Sequence, residues 1–195
     1  MMTHTGKNRI GRSIKRLLHG KAGLAALKGF LSSLPDCRFT TERSMGSNGK
    51  QKSEENDKYG LQRFIEAQNS YGIYDIAVDE LERGHKRSHW VWFVFPQMKG
   101  LGYSYKSNYY GIACREEARA YLECDILNER LRKVCRILLE QVRKGNSVRE
   151  LLGEIDALKV RSCLTLFDAV SPNDIFSECL DVCYQGERDS SKLFL

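Results

Sequence analysis

From Leu127 to Val142 the apolar side chains Leu127, Leu131, Val134, Cys135, Leu138, Leu139 and Val142 keep to one stripe over four turns. That spacing predicts an amphipathic helix with one buried face, and Gly145 just beyond supplies its stop. Ile73, Ile76, Ala77 and Leu81 repeat the pattern at i, i+3, i+4 and i+8, with Gly84 as terminator. Ser147-Val148-Arg149-Glu150 fits a capping box, so a further helix starts at Ser147. Val160, Cys163, Leu164, Phe167 and Val170 mark another. Ser171-Pro172-Asn173-Asp174 predicts an N-cap at Ser171, a proline at N1 and an acid at N3 for a last helix running through Cys183 to Gly186. Only Trp90–Phe95 resists assignment, because period alone cannot tell a short buried strand from a short buried helix.

The pattern changes before Tyr59. Residues 44–58 are polar, glycine-containing and aperiodic, and they read as a flexible linker. Residues 1–35 contain no acid, seven cations, and Ile10, Ile14, Leu17, Leu18, Leu24, Leu27 and Phe30 mostly at helical spacing. A basic, acid-free amphipathic N-terminus has the composition of a transit peptide. Residues 1–57 are therefore expected to be a basic, largely disordered extension and linker, and 58–195 the folded domain. The expected location is intracellular: cytoplasmic, or mitochondrial if the extension is a transit peptide. A second start at Met45 is the competing account of the leader.

Charge follows the same division. The chain of 195 residues carries a net charge of +6. The leader holds 11 Lys and Arg against 5 Asp and Glu, whereas residues 58–195 hold 20 of each. An electrically balanced body argues against nucleic acid as the partner, since such domains carry their basic footprint on the fold. No run approaches 18 apolar residues, so no transmembrane segment is expected. The seven cysteines show neither CxxC nor paired ligand spacing; no metal site is expected, and buried reduced thiols are the better reading.

The most specific string is Ser88-His89-Trp90-Val91-Trp92-Phe93-Val94-Phe95-Pro96-Gln97. With Arg63-Phe64, Gly100-Leu101-Gly102, Glu117-Ala118, Arg161-Ser162, Thr165-Leu166-Phe167 and Arg188-Asp189 it forms an ordered match over about residues 60–195. In these residues the body resembles the family known as domain of unknown function 1810, whose bacterial members are sometimes labelled "calpastatin". The resemblance implies an all-α fold, a single compact domain of about six to eight helices, and tilts Trp90–Phe95 toward helix. Two departures stand out: Cys124-Asp125 where the family has His-Pro, and Cys163-Leu164 where it has Ser-Met. The "calpastatin" label has no support, because inhibitor segments of that kind are disordered and repeated, and this body is neither.

Chemistry gathers at the same string. If Trp90 opens a helix, Ser88 is its N-cap and the free N–H groups beside it attract an anion. Lys86, Arg87 and His89 add charge and directional donors for phosphate. Trp90, Trp92 or a tyrosine from Tyr103–Tyr110 would stack on a base. Ser104, Tyr110 and Gln97, with Lys159 and Arg161 from a later helix, complete the candidate ligand set. The plainer reading is that Trp92, Phe93 and Phe95 are core, Gln97 closes a turn, and Lys159 and Arg161 are a solvated face. His89 is the one candidate for catalysis, and no carboxylate spacing selects a partner for it. No cofactor motif is identified, and no reaction follows from the residues. Two readings stay open: a binder or enzyme for a nucleotide or ADP-ribose-type molecule, and a non-catalytic helical module that docks a protein partner.

Overall fold

The computed structural model describes residues 58–190. The leader, the linker and their expected disorder lie outside the described residues. Within them the chain forms α1 (Gln62–Asn69), a 3-10 turn (Ser70–Gly72), α2 (Ile73–Glu82), α3 (Val91–Val94), α4 (Tyr105–Tyr109) and α5 (Arg115–Glu123). There follow α6 (Asp125–Arg143), α7 (Val148–Leu152), α8 (Glu154–Val170) and α9 (Ile175–Tyr184). The fold is all-α, with six helices of eight residues or more and three of a single turn. The one β contact among the described residues is an isolated parallel bridge between Met98 and Ile112.

The long stripe folds as expected. Helix α6 buries Leu127, Leu131, Val134, Cys135, Leu138 and Leu139, and ends before Gly145 at φ 101°. The capping box at Ser147 forms in both directions. Two local expectations are corrected. Helix α2 buries Tyr74, Ala77, Val78 and Leu81, so its stripe is rotated and Ile76 stands 43% exposed. The cap of α9 is Asp174, not Ser171, which instead closes α8. Asn173 takes the left-handed conformation (φ 61°), so no helix runs through it. Arg132 holds Asp174 by two hydrogen bonds of 2.6 and 2.5 Å, a contact 42 residues away that local pattern cannot show.

Helix α8 is the centre of the domain. It packs on α9, α7, α5 and α3, while α6 packs on α9, α2 and α5. Ten of its 17 residues are buried, Val160, Leu164, Leu166 and Phe167 among them. Its remaining side carries Asp156, Lys159 and Arg161, none of them fully buried. Trp90–Phe95 is helical, as one turn with Phe93 and Phe95 in the core. Trp92 alone of that group is only partly buried, which corrects its assignment to the core.

The segment after α3 is tied back on itself. The Ile112 N–H donates to the Gln97 carbonyl (2.9 Å) and the Lys99 N–H to the Ile112 carbonyl (2.8 Å). Gly111 makes this approach possible, since a Cβ there would lie 2.6 Å from the Lys99 Cα. Gln97 is thereby held in a loop tied to Ile112 and lining a cleft with α8.

Candidate functional site

The strap Lys86–Trp90 holds an anion, but the anion is the protein's own. The carboxylate of Glu80, 9% exposed, accepts the Arg87 N–H (2.9 Å), the Ser88 N–H (3.0 Å), the Ser88 hydroxyl and the Trp90 Nε1–H (2.8 Å). Burial alone would raise its pKa; the hydrogen bonds from Ser88, the Arg87 N–H and Trp90 outweigh burial and lower it to about 2. The expected phosphate cradle is thus filled from within. Ser88 does not cap α3, whose N-cap is Trp90 with no side-chain capping bond. Trp90 is fully buried and offers no face for stacking. The Ser88 hydroxyl and the Trp90 indole N–H are both spent on Glu80.

Lys86 is also engaged. Its ammonium, 8% exposed at the side chain, lies 2.6 Å from Asp156 and 5.2 Å from the Trp90 ring centroid. Lys159 reaches the same Asp156 at 2.8 Å, and its Nζ sits 4.5 Å from the Trp92 ring centroid. Burial pushes the Asp156 carboxyl up, but hydrogen bonds and charge from Lys159 and Lys86 outweigh it and hold the group below the usual carboxylate range. Lys106 Nζ is a second cation on Trp92, at 5.2 Å. His89 is exposed, with its ring 6.4 Å from that of Trp92. Tyr110 packs edge-on against Phe93 (5.2 Å) and near Phe64, away from these groups.

Beside Trp92 a cleft of about 580 Å³ opens between the Gln97–Ser107 loop and α8. Gln97, Ser104, Lys159 and Arg161, four of the candidate residues, line it. Lys86, Ser88, His89, Trp90 and Tyr110 do not. Gln97 is 7% exposed, and its side-chain amide makes no hydrogen bond among the described residues. Arg161 contributes a buried Nε that also has none, although its Nη1 reaches Glu187 at 3.3 Å. Ser104 is committed as the N-cap of α4, accepting the Ser107 N–H at 3.1 Å. Gly102 packs so tightly here that a Cβ would lie 2.8 Å from the Ser107 side chain.

Two cleft residues escaped the sequence reading. The Ser162 hydroxyl is bonded to Asp189, whose N–H donates to the Thr165 hydroxyl at 2.9 Å. Asp189 is the one carboxylate on the cleft wall, brought there by the segment after α9. Its only sequence signal was the closing Arg-Asp pair of the family match.

The family model for proteins of unknown function, DUF1810, matches residues 58–194. The chain belongs to that family. Among solved structures it is similar to the conserved hypothetical protein Rv1873 from Mycobacterium tuberculosis: 41% identical, TM-score 0.65, over 69% of this chain and 94% of that one. No curated protein matches it. Of the two departures from the DUF1810 pattern, Cys163 is buried in the core, and Cys124 sits half-buried at the turn between α5 and α6.

Cys124, Cys135, Cys163, Cys179 and Cys183 are free thiols. Burial pushes Cys163 well up and Cys183 up to about 12, so neither offers a thiolate nucleophile. Among the described residues no three His, Cys, Asp or Glu side chains are placed to hold a metal, and no helix is long and apolar enough to cross a membrane.

Proposed function

We propose that this domain binds a small phosphate-bearing molecule of the nucleotide or ADP-ribose class, in the cleft between the Gln97–Ser107 loop and α8. The observation that carries this reading is the convergence of Gln97, Lys159 and Arg161 on one cleft beside the Trp92 ring. Amide and guanidinium donors beside an ammonium suit an anion, and Lys159 and Arg161 outnumber Asp189, the one carboxylate in the lining. Relative to the sequence reading, the site moves off the Lys86–Trp90 strap and onto Trp92, Gln97, Lys159 and Arg161. No proton-transfer pair is assembled there, and no reaction is assigned.

The test is thermal unfolding of the full chain with millimolar ADP-ribose, NAD, ADP or pyrophosphate. A rise in Tm is expected for the wild type, reduced in Gln97→Ala and Lys159→Ala variants that stay folded. The absence of a rise with all four would remove the reading.

A second reading, the protein-docking module, draws support from one observation. Tyr105 and Tyr109 are stacked at 5.6 Å and stand 79% and 45% exposed on α4. Loss of a protein partner in a Tyr105→Ser, Tyr109→Ser variant, with the ligand response intact, would separate the two.

A further inference from the structure

The cleft inverts the usual order of polarity. Its three buried lining residues, Gln97, Ser107 and Ser162, are all polar. Its exposed lining includes Tyr103, Ile155 and Leu158, which are 100%, 71% and 52% exposed. Proteins ordinarily bury the apolar and expose the polar. These three are a third of the nine large hydrophobic side chains exposed among the described residues, and they stand on both banks of one opening. A polar floor beneath an apolar lip fits an occupant with the same two ends.

We infer that the ligand enters head first, with its anionic group inside the cleft against Gln97, Lys159 and Arg161, and its planar group at the lip between Tyr103 and the Ile155–Leu158 bank. This rests on the reading that the cleft binds a phosphate-bearing molecule, and adds its orientation and selectivity. The Gln97 amide and the Arg161 guanidinium are directional donors, and with the Lys159 ammonium they favour the phosphate. Ile155 and Leu158 offer the planar group only area, and Tyr103 offers a ring face, so the lip recognises that a base is present without reading which base. The class of ligand is therefore a nucleoside phosphate with an interchangeable base.

Calorimetric titration of the full chain with ADP, GDP, ribose 5-phosphate and pyrophosphate tests this. ADP and GDP should bind within about threefold of each other, and both about tenfold or more tighter than the two baseless phosphates. In a Tyr103→Ser, Ile155→Ser double variant, whose substituted side chains are solvent-exposed, that gap should close while pyrophosphate binding is kept. Pyrophosphate binding as tightly as ADP would overturn the inference and leave the cleft reading standing, as would a tenfold preference between the two bases. Binding of none of the four would overturn the cleft reading itself, and the inference with it.

Discussion

The strap Lys86–Trp90 and the near wall of the cleft beside Trp92 adjoin along the chain, yet they end in different states. On the strap, the Arg87 and Ser88 N–H groups, the Ser88 hydroxyl and the Trp90 indole all converge on Glu80, and Lys86 closes on Asp156. A few residues on, Gln97 lines an opening that it shares with Lys159 and Arg161 from α8. Donor-rich sequence is therefore not itself a binding site. It becomes one only where donors and cations outnumber the acids beside them, as Gln97, Lys159 and Arg161 outnumber Asp189 in the cleft lining.

The contrast is sharpest at Glu80. Glu80→Ala strips four donors of their acceptor and should cost on the order of 3 kcal/mol of unfolding free energy, measured by urea denaturation. A loss under about 0.5 kcal/mol would mean that the strap is held by something else. The same carboxylate sets a pH dependence. Because its folded pKa lies below the ordinary value, its contribution is complete above about pH 4.5 and is lost as pH falls toward about 2. Wild type should lose stability across that window, and Glu80→Gln should flatten this part of the slope.

Lys86→Met should cost less, about 1–2 kcal/mol, since Asp156 keeps Lys159 as a partner. On the cleft side the sign turns. Gln97→Leu replaces an unpaired amide with an apolar side chain of similar size, and should leave stability unchanged or raise it by up to about 1 kcal/mol, while weakening the response to ADP-ribose. A clear destabilisation by Gln97→Leu would show that its amide serves the fold, and the contrast with the strap would collapse.

How much of this could be read from the chain depends on the reach of each interaction. The α6 stripe and the Ser147 capping box were legible, because a helical repeat and a cap are both written in spacings of three or four residues. Trp90 and Trp92 could not be told apart, since a single turn has no resolved period and their exposure is set by contact with α8 and Glu80. Glu80 itself leaves a trace in the pattern. It shares a helix face with Ile73 and Ala77 at steps of four and three, and a carboxylate on an apolar stripe needs donors from elsewhere. Lys159 and Arg161 were named, but their convergence with Gln97 depends on the Gly111 close approach that pins the loop. Ser162 and Asp189 meet across 27 residues, and no local spacing announces them.

The two tryptophans provide a built-in pair of optical reporters. Trp90 is sealed in the core with its indole N–H on a carboxylate, so its emission tracks whether the domain is folded. Trp92 is partly open, lines the cleft and lies beside the ammoniums of Lys159 and Lys106, so its emission tracks what enters there. A Trp92→Phe protein would fluoresce as a folding gauge alone. The difference between its signal and that of the wild type isolates occupancy of the cleft without a label.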